Sequence, residues 1–252
     1  MTAGLTRRAL PALLSLVLAP LAFSTVLVEV PASLDNTLFE TAAGDLSNGA
    51  GQYLFAGNTA PLRAGATRRG LLSFDVASIL PGGVTINSVA LTLYMSRSIS
   101  GAQDISLHRL TQEWGEGSSD ASGQEGGGAT ATPGDATWLH TFNPGSTWTN
   151  EGGDFSAIPS ATTPVAGTGS YLWTGAGLVG DVQDMLDDPD NNFGWILVGN
   201  ESALTTAKRF NSRENGLNPP VLTIEYTPIP EPAIPASLAL GLLVALRPRR
   251  RR

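Results

Sequence analysis

The chain has 252 residues, 15 of them basic and 22 acidic, and it contains no cysteine. The absence of cysteine excludes disulfides, zinc–thiolate sites, iron–sulfur clusters and cysteine nucleophiles. Because the basic residues cluster near the two ends, residues 25–228 keep 8 basic and 21 acidic residues, a net charge of −13. A body this acidic repels nucleic acid and anionic lipid, so we expect no nucleic-acid partner.

The N-terminus has the pattern of a secretory signal peptide. Arg7 and Arg8 precede an apolar run, Ala9–Phe23, and Ala22 and Ser24 offer small side chains at the two positions that a signal peptidase reads. We therefore assign residues 1–24 to a signal peptide and exclude them from the fold. The paired arginines leave the twin-arginine route open, although general secretion is favoured because the residues after them match that motif weakly.

Residues 25–228 form one domain in which apolar residues mostly alternate with a period of two, which predicts strands. The clearest strand is Val84–Ser96, where one face carries Val89, Leu91, Leu93 and Met95. The stretch 115–133 is too polar for a core and predicts a long loop. Further strands are predicted at Gln52–Ala56, Arg69–Val76, Ile105–Leu110, Thr137–Phe142, Ala161–Trp173, Phe193–Val198, Lys208–Arg213 and Val221–Tyr226.

Helical spacing is convincing at one place, Gly177–Asp187. Apolar residues recur there on one face, namely Leu178, Val182, Met185 and Leu186. The helix is expected to stop at Asp188, because Pro189 disfavours helical geometry in the residue before it. About ten short strands, Gly-rich turns and one short helix predict an all-β fold, an antiparallel two-sheet β-sandwich that is jelly-roll-like.

The C-terminal tail, residues 229–252, combines three features in order. These are Pro230, Glu231 and Pro232, then the apolar run Ala233–Leu246, and finally Arg249, Arg250, Arg251 and Arg252. A membrane-spanning helix needs about 20 apolar residues, so this run is too short for an ordinary one. We expect a short apolar helix that contacts the bilayer while the arginine cluster resists translocation.

This tail resembles the PEP-CTERM sorting signal of Gram-negative bacteria. The resemblance implies transient contact with the inner membrane, recognition by an exosortase and removal of the tail. It further implies delivery to the cell surface or the extracellular matrix, with signal peptidase and exosortase as partners during export. An uncleaved tail anchor is the alternative, which the shortness of the apolar run disfavours.

Several segments of the body together carry a second resemblance. They are Arg69–Val76, Ile86–Tyr94, Trp114–Gly117, Ala136–Trp138, Phe193–Trp195, and Arg209–Glu214 followed by Pro220–Leu222. As an ordered set they resemble the DNRLRE domain family of secreted bacterial proteins, which is related to a group of carbohydrate-binding modules. The resemblance implies a β-sandwich with an extracellular, non-catalytic role, and polysaccharide binding is proposed for some relatives. It implies no catalytic residue.

Two tryptophans and two arginines are the candidates for carbohydrate binding. Trp114 and Trp148 lie in polar, Gly-rich loops, which predicts exposed rings on which a sugar could stack. The other three tryptophans lie in predicted strands and are expected in the core. Arg209 and Arg213 are candidates for recognising an acidic sugar, although a structural ion pair with a carboxylate such as Asp75 is favoured.

An acidic turn after the helix is the candidate metal site. It contains Asp187, Asp188, Asp190, Asn191 and Asn192, whose oxygen atoms are suitable ligands for Ca²⁺. It is not an EF-hand, because that motif needs a glycine where this chain has Phe193. A solvated helix exit is the favoured interpretation, and Ca²⁺ is the one candidate cofactor.

Glu113 and Glu116 flank Trp114, and a pair of carboxylates can act on a glycosidic bond. They support the alternative function, a glycan-active hydrolase or lyase of β-sandwich fold. We favour a non-enzymatic surface or matrix protein that contacts extracellular polysaccharide. A matrix component without a ligand is the third hypothesis.

Overall fold

A computed structural model of the protein describes residues 24–59 and 65–229. The predicted signal peptide, apart from Ser24, and the predicted sorting tail from Pro230 onward lie outside the described residues. Within the part of the chain that is described, no helix is long and apolar enough to cross a membrane.

Antiparallel strand pairing builds the domain. The strands are β1 (Val26–Pro31), β2 (Leu34–Phe39), β3 (Leu46–Ser47), β4 (Tyr53–Asn58), β5 (Thr67–Ser73), β6 (Thr85–Arg97), β7 (Gln103–Arg109), β8 (Ala129–Thr130), β9 (Ala161–Val165), β10 (Gly169–Thr174), β11 (Trp195–Val198), β12 (Lys208–Asn211) and β13 (Val221–Thr227). Eleven of them form one sheet in the order β1-β13-β6-β12-β4-β5-β11-β7-β9, with β10 beside β6 and β2 beside β5. Strands β3 and β8 form a separate pair. The predicted all-β class is confirmed, in the form of one curled antiparallel sheet.

Strand β6 is the longest and pairs with three others, β10, β12 and β13. Its burial alternates as predicted: Val89, Leu91, Leu93 and Met95 are buried, and the residues between them are only partly covered. The period-two pattern is clear here because one face of β6 meets the core and the other remains partly exposed.

Strand β4 changes partner along its length, and this change curls the sheet. Its residues 53–56 pair with β12, whereas Gly57 and Asn58 pair with β5. Gly57 has a φ of +108°, and a Cβ atom there would lie 3.1 Å from the Cα atom of Ala207. A side chain would meet both backbone strain and a close neighbour, so glycine is needed where the sheet turns.

Helix α1 (Ala176–Asp187) packs against β6 and completes the main core. It begins one residue before the predicted start and buries the four predicted apolar residues. Gln183 fastens it to the sheet, since its Nε2 donates to the Val84 carbonyl and its Oε1 accepts from the Ile86 N–H group. Trp173 and Trp195 lie in this core and are 0 % exposed, as predicted.

The region between β7 and β9 differs from the predictions. No strand forms at Thr137–Phe142, because the Thr137 hydroxyl accepts hydrogen bonds from the N–H groups of Leu139 and His140 and bends the chain into a turn. The region covers the face of β2, β5 and β11 opposite the main core, and it builds a second apolar cluster there. Strand β2 was not predicted because three of its buried residues, Asp35, Asn36 and Thr37, are polar, so its sequence shows no apolar alternation.

Candidate functional site

The two tryptophans predicted to be exposed are buried, so that expectation is wrong. Trp114 is 4 % exposed and Trp148 is 5 % exposed. Their indole N–H groups donate to backbone carbonyls, of Phe193 and Thr137 respectively, each at 2.9 Å. Both rings belong to the second apolar cluster, with Trp138. The polar loops that carry them fold over the sheet, and large aromatic rings supply the apolar contact that anchors them there.

Arg213 lies in an ion-pair cluster rather than at an open surface. Its Nε and Nη2 atoms donate to the two carboxylate oxygens of Glu116, at 2.7 and 2.5 Å. Nη2 also lies 2.9 Å from Oε1 of Glu214, and the backbone N–H of Arg213 donates to Asp35 at 2.6 Å. The structure thus contains the ion pair of Arg213 that the favoured interpretation expected, but its partner is Glu116 and not Asp75.

Three carboxylates meet at this cluster. Among the described residues, Asp35, Glu116 and Glu214 form the group of acidic side chains whose ligand atoms lie within 4.8 Å of one another. Burial raises the pKa of Asp35 well above its usual value and also raises that of Glu214. Because the guanidinium of Arg213 already supplies the compensating positive charge, we interpret the cluster as a structural clamp and not as a metal site.

The acidic turn after helix α1 does not gather its oxygen atoms. Asp187 accepts from a glutamine side chain one turn earlier at 3.2 Å, and Asp188 accepts from the Asn191 amide at 2.8 Å. Asn192 donates to a backbone carbonyl at 2.7 Å, and Asp190 is exposed. Each side chain forms its own contact or faces solvent, apart from Oδ1 of Asn192, which is buried without a hydrogen-bond partner in the described part of the chain. Separate contacts of this kind are typical of a helix exit and not of a shared cation site.

A cleft of about 210 Å³ opens where β4, β6 and β12 lie side by side. Arg97 of β6 is paired with Arg209 of β12, and Arg209 is paired with Phe55 of β4. Directly paired residues project from the same face of a sheet, so these three side chains emerge together. The cleft is further lined by Asn58, Thr59, Ser98, Ile99, Gln124, Gly126, Thr205 and Ala207.

The two guanidiniums of the cleft converge on one acceptor. The Nη1 atoms of Arg97 and Arg209 both donate to Oε1 of Gln124, at 2.7 and 2.8 Å. Arg209 is held in place because its Cζ atom lies 3.6 Å from the ring centroid of Tyr53 and its Nε donates to Ser96 at 3.0 Å. Within residues 24–59 and 65–229, neither arginine forms an ion pair with a carboxylate.

The electrostatics of the cleft favour the binding of an anionic ligand. Burial lowers the pKa of Arg209 and repulsion by Arg97 lowers it further, whereas electrostatic interactions with Tyr53 and with the Glu125 carboxylate raise it. Arginine side chains in proteins remain charged at neutral pH, so two positive charges lie side by side here. A ligand anion between the two guanidiniums would replace the water that burial removes from them, and its negative charge would offset their mutual repulsion.

Backbone strain borders the same cleft on two sides. Thr205 lines it with a φ of +64°, and Glu125, next to Gln124, has a φ of +63°. A positive φ is unusual for any residue with a side chain and is an outlier for a β-branched one such as threonine. Such strain concentrates at binding sites, where the surrounding structure maintains it. The strain supports the choice of this cleft as the functional site.

Sequence reasoning selected Arg209 but missed Arg97 and Gln124. Arg97 is the last residue of a long strand, and Gln124 lies in a polar loop, 85 positions before Arg209. The scarcity of basic residues in an acidic body was the one signal that could have drawn attention to Arg97. No protein-family model matches the chain, and no curated protein matches it either.

Proposed function

We propose that this protein is an exported, non-catalytic protein of the cell surface or extracellular matrix that binds a carboxylated polysaccharide in the Arg97–Arg209 cleft. In this proposal the curled sheet is a jelly-roll-like, DNRLRE-type β-sandwich spanning residues 25–228. Residues 229–252 are a PEP-CTERM tail that directs sorting through an exosortase in a Gram-negative-type bacterium.

The observation that carries the binding role is the pair of arginines without a carboxylate partner. A body with a net charge of −13 has many carboxylates to offer, yet none of those in the described residues pairs with Arg97 or Arg209. A uronate unit carries the missing carboxylate together with hydroxyls and an apolar ring face. Ile99, which is 81 % exposed at the cleft, offers contact area for that ring face.

The sorting role is supported by the tail sequence and by where the domain ends. Strand β13 ends at Thr227, and Ile229 is 58 % exposed, so the chain leaves the domain at its surface. A processing enzyme could reach the following Pro230-Glu231-Pro232 segment without unfolding the domain. The non-catalytic part is supported by Glu116, whose pairing with Arg213 occupies one of the two carboxylates behind the enzyme alternative.

Removing either arginine of the cleft should weaken polysaccharide binding. We expect Arg97→Ala and Arg209→Ala each to lose about 10- to 100-fold in affinity for polygalacturonate, since a hydrogen bond to a charged group contributes about 1.5–3 kcal/mol. Affinity electrophoresis and calorimetry at low salt would measure this loss. Arg109→Ala is the matched control, because Arg109 pairs with Asp184 elsewhere. Equal affinity of all three variants and the wild type would contradict the assignment.

Processing of the tail should be visible in the mature protein. We expect intact-mass analysis of protein from its native cells to give a C-terminus near Pro230–Glu231. Replacing Pro230, Glu231 and Pro232 by alanines should block processing and retain the tail at the inner membrane. A wild-type mature form that still ends at Arg252 would contradict the sorting role.

A further inference from the structure

The oxygen that accepts from both arginines of the cleft belongs to a side chain that is itself exposed. Gln124 lies at the cleft mouth, and within the described residues its Oε1 is the acceptor that Arg97 and Arg209 share. A carboxamide oxygen is a neutral acceptor, and it forms weaker hydrogen bonds with a guanidinium than a carboxylate does. Gln124 therefore occupies the two arginines without neutralising their charge.

The backbone that follows Gln124 is anchored by hydrogen bonds that do not involve Arg97 or Arg209. The next residue, Glu125, is buried, and its carboxylate accepts from Asn48 at 2.9 Å and from the backbone N–H of Tyr53 at 3.0 Å. One residue further, the Gly126 carbonyl accepts from Nε of Arg68 at 3.2 Å. The Gln124 side chain can consequently rotate away while the loop stays in place.

We infer that Gln124 is a specificity-determining residue of the cleft, whose side-chain oxygen occupies the place between the two guanidiniums that a ligand carboxylate takes on binding. This inference rests on the proposed function of the same cleft. A carboxylate displaces the amide because its charge strengthens both hydrogen bonds. A neutral sugar hydroxyl gains nothing by the exchange, so Gln124 selects against uncharged glycans.

Three glutamine variants test this role. We expect Gln124→Ala to bind polygalacturonate about 3- to 10-fold more tightly, because the ligand no longer displaces hydrogen bonds of ordinary strength. Gln124→Glu should bind at least about 10-fold more weakly, because its own carboxylate neutralises the pair. The same variant should raise the melting temperature by about 2–4 °C without any ligand. Gln112→Ala is the matched control, since Gln112 bonds to the Thr147 carbonyl away from the cleft.

The outcomes separate failure of this inference from failure of the binding function. If Gln124→Ala binds no more tightly than the wild type while the arginine variants lose binding, Gln124 is a spectator or a ligand contact, and the inference is overturned. If the wild-type protein does not bind polygalacturonate, both the proposed binding function and the proposed role of Gln124 in selectivity are wrong. The melting temperature of Gln124→Glu still reports in that case whether residue 124 occupies the arginine pair.

Discussion

Replacing Lys208 by methionine should lower the free energy of unfolding by about 2–4 kcal/mol, since three carbonyl acceptors lose a charged donor. Lys208 is 0 % exposed, and its Nζ donates to the carbonyls of Ser100, Gly101 and Ala166 at 3.2, 2.7 and 3.1 Å. It thereby ties two turns of the chain to strand β12. Part of this loss in the free energy of unfolding is recovered, because the variant no longer buries a charged ammonium group, which is itself costly. Chemical denaturation monitored by tryptophan fluorescence would measure the difference.

The same residue gives a second, independent readout, because it is the only lysine in the chain. We expect an amine-acylating reagent to leave Lys208 unmodified in the folded protein and to modify it in urea. Burial lowers the pKa of Lys208, which would by itself increase its reactivity, so protection would report enclosure of the amine. Rapid acylation of the native protein, or a methionine variant as stable as the wild type, would contradict this role.

Replacing Arg213 by methionine should cost about 2–4 kcal/mol at neutral pH, because removing the cation leaves partly buried carboxylates without a compensating charge. Arg213 is the cation of a cluster that also contains Asp35, Glu116 and Glu214, and the Glu116 side chain is only 11 % exposed. The guanidinium itself is 38 % exposed, so solvent screens part of the interaction, and the expected cost is set below that of a fully buried pair.

The cost of the Arg213 substitution should depend on pH. In the wild type the pKa values of Asp35 and Glu214 are raised by burial. A carboxyl with a raised pKa stabilises the fold below its unfolded pKa of about 4 and loses that contribution as pH rises through the folded value. Without Arg213 these pKa values rise further, so the penalty should be largest near pH 7 and shrink toward pH 4.

Urea denaturation at pH 7 and pH 4 would check this dependence. Arg109→Met is the matched control, because its close partner Asp184 is 71 % exposed and its other partner, Asp181, lies 3.9 Å away. An exposed pair contributes at most about 1 kcal/mol. A loss for Arg213→Met that is the same at both pH values, or no larger than that of the control, would show that the cluster is not an electrostatic clamp.

Local patterns predicted the parts of the fold that depend on near neighbours in the chain. The alternation in β6 and the helical spacing in α1 were both confirmed, since each needs only one face of one element to meet the core. The turn at Thr137 and the buried ring of Trp148 were not predicted correctly. Both depend on a loop folding over a distant strand, and composition carries no information about that.

The sequence by itself determined the acidity of the body, the absence of cysteine and the strand and helix periodicities, because these are properties of composition and of neighbouring residues. It also contained the arginines from which the cleft is built. Only the tertiary structure decided that Arg213 serves the fold while Arg209 meets Arg97 across a strand pair, 112 positions away. The physical reason is that sheet register and the curl at β4 bring charges together, and neither is encoded within any short segment.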